Sequence, residues 1–394
     1  MRQGLAGVTI AAKGTLALAR VVARSFAEHH PGVPFFVLLT DEVDGYFDPE
    51  LEPYKLLLWR DLDVPEKGRL TFGLPREPLS YAATPYAISR LLELGYDRVV
   101  FIKQESFVLG ELATVAASLP PGGVGLTPHL LEPLVGGGAE ERELTILLSG
   151  VFNAGLAAVA AGPTSHALLG WWQDRVHGHC RYAVAEGMHY EQRWLDLAPA
   201  YFPDVTVLHD PGLNIGHWNL PDRRVTAVDG QVFAEGRPCR LFRFSGYDPD
   251  RPQAATRYSS RLRTAALGDA ALVFEDYRAA LFEEGWAETS TWPFAYATFK
   301  NGVSIPDVAR DIYLRLEHTA RFGDPFDTGA GFFSWLREPV DGERGPSRFW
   351  LGVYEGRPDL KAAFPDVLGR DRKAFLRWTR SSGATEHDVP EPLR

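Results

Sequence analysis

The sequence predicts an α/β fold: a Rossmann-like sheet flanked by helices, followed by a smaller, mainly helical C-terminal module. Three observations lead there. Through about the first hundred residues, short apolar runs of strand length alternate with helical periodicity, the pattern of parallel strands joined by crossover helices. The 394 residues, 45% hydrophobic and 23% charged, are enough for one large α/β core and a second smaller one. Beyond residue 265 the strand-like runs give way to helical, aromatic-rich sequence.

Residues 8–12 (VTIAA) read as the first strand, 15–29 as an amphipathic helix, 35–40 (FFVLLT) as the second strand and 55–59 (KLLLW) as the third. A second helical pattern over 84–94 ends at Gly95, a favourable C-terminal signal, and leads into 98–102 (RVVFI). That uninterrupted apolar run suits a central strand buried on both faces. Further strands are expected at 123–127, 151–159 and 205–208, with helices at 165–177 and 191–197 and a mobile loop at 136–138. The apolar pattern breaks around 249–255, which puts a domain boundary near residue 265: residues 1–265 form the α/β domain and 266–394 the helical module. The aromatics of that module, with the run 292–299 (WPFAYATF), read as a small helical core or as a sugar-stacking surface.

A formal net charge of −10 and a pI near 5.6 argue against a nucleic-acid partner, which needs a basic face to neutralise phosphates. Any phosphate-bearing ligand must therefore meet local positive charge. Cys180 and Cys239 are the only cysteines, too few for a disulfide framework and without the paired spacing of a zinc site; they fit a reducing cytoplasm. His177, His179 and His189 near Cys180 lack a second ligand pair, so that segment reads as a solvated loop. No signal-peptide order marks the start, and no apolar run approaches the roughly 18–20 residues of a membrane helix. The expectation is a cytoplasmic protein without a transmembrane segment, peripheral membrane contact remaining open.

Open α/β sheets bind ligands beyond the carboxyl ends of their strands. Residues 9–13, Asp41 and residues 103–105 should therefore converge on one crevice. The ordered segments LLTDE, GYDRVVFI, VFNAG, EQRWLDL, NIGHWNL and FRFSG, spread over about residues 5–260, resemble a group of bacterial GT-A-fold glycosyltransferases related to the glycogenin-like retaining family. The resemblance implies transfer of a sugar from a nucleotide-activated donor. In that family the strand matching 98–102 is followed by Asp-x-Asp, which holds manganese on the donor diphosphate, and a histidine before Phe-Ser/Thr-Gly supplies a third ligand. This chain has Lys103, Gln104 and Glu105 at the first place and Arg243 at the second. Thr84 with Pro85 replaces the usual Lys-Pro, and Glu191 with Gln192 replaces Asp-Gln.

Two basic residues at metal positions suggest compensation: fixed cations can stabilise charge on a departing diphosphate, Arg243 by a bidentate grip and Lys103 as a point charge. No divalent metal or other cofactor is expected, the nucleotide sugar being the co-substrate. The resemblance further implies sugar contact by Asn153 and hydroxyl or anomeric contacts by Glu191 and Gln192, the three candidate catalytic residues. Thr9, Ala11, Lys13, Asp41, Thr84, Gln104, Glu105, Asn214, Ser245 and Gly246 complete the donor-binding set with Lys103 and Arg243. His217, Trp218 and Asn219 are candidates for acceptor or sugar contact. Several carry plainer readings: Thr9 and Asp41 as cap or turn residues, Asn153 as a strand-end turn, Glu191 as a helix N-terminal acid, Trp218 as core. The acceptor, whether glycan, lipid or small molecule, is not legible. Two alternatives stand beside transfer: a non-catalytic carbohydrate-binding or regulatory protein, supported by the number of altered positions, and an enzyme whose donor carries a different anion.

Overall fold

The computed structural model describes residues 3–342 and 345–394. They form two compact units, one from residues up to 62 together with 80–294, the other from 63–79 together with 295–394.

The strands of the first unit are β1 (Gln3–Ala11), β2 (Phe35–Leu39), β3 (Lys55–Leu58), β4 (Tyr96–Ile102), β5 (Ser106–Val108), β6 (Val124–Pro128), β7 (Phe152–Ala160), β8 (Tyr182–Ala183), β9 (Met188–His189), β10 (Val205–Val207), β11 (Val225–Val228), β12 (Gln231–Ala234), β13 (Arg237–Pro238) and β14 (Leu241–Arg243). Seven of them make one sheet in the order β10-β6-β7-β4-β1-β2-β3. Its pairs are parallel except at β7, which runs against both β4 and β6. All nine residues of β7 are buried, as a strand covered on both faces requires.

The predicted α/β sheet with flanking helices is therefore present. The helix Leu16–His29 covers it with Leu16, Ala19, Val22, Ala23 and Phe26, which pack with Val37, Val100, Ile102 and Leu156. Apolar residues spaced three and four apart put these side chains on one helical stripe. Phe26 is fully buried, a burial worth about 2–3 kcal/mol.

The topology also fixes where a ligand can sit. From β1 the chain winds outward through β2 to β3, then returns to place β4 on the other side of β1. The strand order thus reverses between β1 and β4, and open α/β sheets bind ligands in the crevice at that switch, outside the carboxyl ends of the strands. A two-stranded antiparallel ribbon, β5 with β14, sets Arg243 opposite Ser106 just past the end of β4. Ile215 bridges to Phe242, which brings the segment 214–220 to the same place.

Four local expectations differ from what is found. The helix expected over 191–197 is a 3-10 turn, Gln192–Leu197, with Glu191 at its cap. Within it Asp196 accepts hydrogen bonds from the Val151 and Phe152 N–H groups, a tie to β7 suited to a tight turn. A helix not expected from the sequence, Ala139–Ser149, follows the glycines at 136–138 and buries none of its residues. The helix Ala270–Glu283 lies in the first unit, its Val273, Phe274, Tyr277 and Leu281 packing with Ala17, Val21, Phe242 and Phe244. The division of the chain accordingly falls after Phe294, not near residue 265. The sequence break at 249–255 is a surface excursion that returns to the same core.

The second unit is helical, with the helices Lys67–Gly73, Asp307–Arg315, Phe332–Arg337, Arg348–Glu355, Pro358–Ala363 and Arg372–Trp378. Its core is aromatic: Phe72, Phe299, Tyr313, Phe332, Phe333, Phe349, Trp350 and Phe375 are buried together. The excursion 63–79 is tied in by polar contacts as well as by Phe72. Arg69 donates to the carbonyls of Leu314 and Leu316, and buried Arg310 donates to those of Phe72 and Tyr296. Those carbonyls close helix ends or loops, so the guanidiniums supply donors to acceptors that the helices leave open, one of them, at Phe72, buried. Among the described residues no helix is long and apolar enough to cross a membrane.

Candidate functional site

Six of the predicted residues come together at the carboxyl end of β4: Lys103, Glu105, Asn153, Glu191, Gln192 and Arg243. Lys103 follows β4 directly, its N–H donating to the Gly155 carbonyl at 2.9 Å. Its Nζ lies 3.0 Å from Oε1 of Glu191 and 3.6 Å from the centre of the Tyr81 ring, a cation–π geometry. The Lys103 side chain is 17% exposed and that of Glu191 1%, so this ammonium is the open end of a buried pair.

Arg243, at the end of β14, is 2% exposed. Its Nη1 donates to Oδ1 of Asn153 at 3.4 Å and its Nη2 lies 3.8 Å from Oε2 of Glu105; Nε has no partner. Burial lowers its pKa from the ordinary value, with the nearby Glu105 charge opposing that shift most. The guanidinium fits only because residue 155 is glycine: a Cβ there would fall 1.1 Å from Nη1. The glycine of VFNAG thus makes the room that Arg243 occupies.

Asn153 joins this arginine to a histidine. Its Oδ1 also accepts from the Gly155 N–H at 2.9 Å, and its Nδ2 lies 3.0 Å from Nε2 of His129. Since Nδ2 only donates, Nε2 is the acceptor, and the proton belongs on Nδ1, which faces the Val151 carbonyl at 3.3 Å. Burial pushes the His129 pKa down to about 4, in keeping with a neutral ring. Gln192 is also engaged, donating to the Ser149 carbonyl at 2.8 Å and accepting from the Ala154 N–H at 3.5 Å.

The remaining candidates divide by how their polar atoms are used. Gln104 accepts from the Thr15 hydroxyl at 2.8 Å, tying the turn after β1 to the end of β4. Lys13, 1% exposed, holds its ammonium 3.4 Å from Asp41, 2.7 Å from Asp44 and 3.3 Å from the Glu42 carbonyl. Lys13 and Asp41 thus pin the loop after β2 instead of presenting a charge to the crevice. Ala11 gives its carbonyl to Thr40, and Thr84 is buried as the first residue of helix Thr84–Glu93. The Asn219 amide is fully used, within its loop by donating to the Asn214 carbonyl and accepting from the Gly216 N–H, and across to the end of β6 by donating to the His129 carbonyl. Ser245 offers its carbonyl to Thr256, and Gly246 turns at positive φ beneath Thr256 and Tyr258.

Others are left with unmatched groups. Asn214 sits at φ 53° and is 1% exposed, yet neither end of its amide has a partner. The Thr9 hydroxyl, Trp218 Nε1 and Glu105 Oε2 are likewise buried without hydrogen-bond partners. His217 lies between the rings of Trp218 and Tyr258, and burial, then the Arg243 charge, lowers its pKa to about 4. Buried polar atoms without partners cost free energy, and their concentration where the strand order reverses marks a place equipped to meet a polar ligand.

Two participants escape a reading of the sequence. Tyr81, which carries Lys103 on its ring, lies in a helical stretch with no motif. His129 directly follows β6, so the strand-end rule that selected residues 103–105 also reaches it.

Among solved structures, similar folds include glycosyltransferases. The galactosyltransferase LgtC, in complex with donor and acceptor sugar analogues, is 12% identical at a TM-score of 0.40, the alignment covering 71% of this chain and 96% of that one. The glycosyltransferase GlyE of Streptococcus pneumoniae TIGR4 is 13% identical at a TM-score of 0.41, over 75% of this chain and 67% of that one. Among curated proteins, the uncharacterized protein YfnF of Bacillus subtilis strain 168 is 26% identical over 246 residues, 61% of this chain and 80% of its own length. The uncharacterized protein YfnD of the same organism is 32% identical over 103 residues, 25% of this chain and 32% of its own length. No family model matches the chain.

Proposed function

We propose that this protein transfers a sugar from a nucleotide-activated donor to an acceptor, with Lys103 and Arg243 meeting the charge of the departing diphosphate. The observation that carries the reading is that both cations lie at the strand-order switch, with the partnerless amide of Asn214 next to Ile215, whose carbonyl accepts from the Arg243 N–H. The ordered motifs shared with glycosyltransferases support it from the sequence side.

In such a transfer the bond between the anomeric carbon and a phosphate oxygen breaks, the diphosphate leaves with the electron pair, and an acceptor oxygen bonds to the carbon. Negative charge grows on the leaving group, and preorganised cations placed there lower the barrier. The donor set does not fit a divalent metal: hard cations want carboxylate and carbonyl oxygens, whereas an ammonium and a guanidinium occupy the two key positions. In this reading Lys103 exchanges Glu191 for phosphate when donor binds, releasing the carboxylate for sugar hydroxyls.

Titration calorimetry and product detection with a panel of nucleotide sugars test this. Binding is expected to be indifferent to chelator, and Lys103→Met, at the more open position, is expected to lower kcat/KM by about a hundredfold. Activity abolished by chelator and restored by manganese would refute the role given to the two cations.

A second reading has its own support. Both cations are already paired, Lys103 with Glu191 and Arg243 with Glu105, as in a site that has turned to binding alone. It predicts binding of a sugar or nucleotide sugar without turnover in the same panel.

A further inference from the structure

A second cationic feature of the first unit lies outside the cluster just described. A groove of about 440 Å³ is lined by Arg223, Arg224, Arg261 and Arg263 over an apolar floor that includes Leu220 and Leu267. Four arginines in one groove stand out in a chain of net charge −10.

Their charges are not consumed nearby. Among the described residues no carboxylate lies in ion-pair reach of Arg224, Arg261 or Arg263, all three exposed. The acids around them are engaged elsewhere: Asp222 by Arg142, Glu235 by the Arg224 backbone N–H, Asp269 by that of Ala227. Arg223 differs. It is buried and donates to the carbonyls of Pro211 and Leu213, so it braces the groove wall.

The groove is connected to the crevice by two stretches of chain. Residues 214–219 carry Asn214 and His217 at the crevice, and the next five residues line the groove. Tyr258 meets the ring of His217 with centroids 5.5 Å apart, and three to five residues on, Arg261 and Arg263 line the same groove. A ligand with its reactive end at His217 would have its far end within the field of these arginines.

We infer that the groove binds a phosphate group, and that this phosphate belongs to the acceptor. Guanidiniums match phosphate oxygens in pairs, and three unpaired ones suit a doubly charged group better than a single carboxylate. Calling the ligand an acceptor rests on the transferase reading; the anion site itself does not.

The test uses inorganic pyrophosphate as probe on the full chain, with Lys103→Met beside the triple variant Arg224→Gln/Arg261→Gln/Arg263→Gln. The substituted arginines are exposed and bridge nothing, while Arg223 is kept as the brace. The triple variant is expected to lose pyrophosphate affinity on the order of thirtyfold, three exposed contacts each adding modestly, and the wild-type affinity to fall with added salt. Loss confined to the triple variant supports the groove and counts against the diphosphate role of Lys103, so the two readings fail separately.

Sedimentation with phosphatidylcholine vesicles, with and without phosphatidic acid, whose phosphomonoester can carry two charges, identifies the source of the phosphate. Anionic-vesicle binding lost in the triple variant assigns it to a lipid headgroup; pyrophosphate binding without vesicle binding assigns it to a soluble ligand. A triple variant that matches wild type in both assays overturns the proposal.

Discussion

Replacing Gly155 by alanine should displace Arg243, and the cost can be worked from the geometry. The added Cβ would stand 1.1 Å from Nη1, 2.2 Å from Cζ and 2.5 Å from Oδ1 of Asn153, whereas carbon contacts become comfortable only near 3.5 Å. The backbone is tied at this point although residues 154–156 bulge out of register with β6: the Gly155 carbonyl holds the Lys103 N–H and its own N–H donates to Oδ1 of Asn153. The guanidinium must therefore move. Overpacking of this kind costs about 1–3 kcal/mol, and a buried charge separated from its partner adds some 3 kcal/mol or more. About 4 kcal/mol of destabilisation is expected, roughly a thousandfold in the folding equilibrium. Urea unfolding of Gly155→Ala, Arg243→Ala and the double variant forms the assay. If the clash is the cause, the double variant is more stable than the sum of the singles by about 2 kcal/mol or more. Additivity within about 0.5 kcal/mol would refute the claim that this glycine exists to seat Arg243.

Two further predictions concern the groups that frame the site. Lys13→Met removes the cation from between Asp41 and Asp44 and takes the Lys13 charge from the Asp41 carboxylate, 2% exposed; about 3 kcal/mol of destabilisation is expected in urea unfolding, partly recovered by adding Asp41→Asn, and no change would contradict the pinning role. For His129, with a pKa of about 4 when folded and near 6.5 when unfolded, the unfolded chain binds a proton that the folded chain refuses between those values. Stability should fall as pH drops from about 6.5 to 4, by up to about 3 kcal/mol, and level off below. His217, lowered to about 4 as well, contributes in the same window. His129→Gln should flatten the slope measured by urea unfolding at stepped pH, and an unchanged slope would show that the histidine titrates freely.

The sheet was legible because each of its central strands is an apolar run of the right length between turn signals, and local pattern is what such runs express. The reversal of β7 was not legible, since a strand buried on both faces reads the same in either direction. The unit boundary was missed for a related reason. Helix Ala270–Glu283 looks like its C-terminal neighbours in composition, yet Phe274 and Tyr277 are matched to Phe242 and Phe244, partners some thirty residues earlier. Likewise nothing in residues 63–79 announces that Phe72 completes an aromatic core built more than two hundred residues later.

At the site, the strand-end rule placed Lys103, Gln104 and Glu105, and the motif order placed Asn153, Glu191 and Arg243 near them. What residue types could not convey was which charges face each other. Lys13 and Lys103 look alike in the sequence, both lysines just past a central strand; one is locked between Asp41 and Asp44 and the other opens beside Glu191. The two crevice cations also meet their carboxylates differently. Lys103 is hydrogen-bonded to Glu191 at 3.0 Å, whereas Arg243 and Glu105 stand 3.8 Å apart, too far for a direct hydrogen bond, and the arginine's Nε and the glutamate's Oε2 are both unmatched. A fully self-satisfied pair would have closed to hydrogen-bond distance at no cost to the strands. Instead the seat carved by Gly155 holds the guanidinium short of its partner, the condition that the proposed role in electrostatic preorganisation requires.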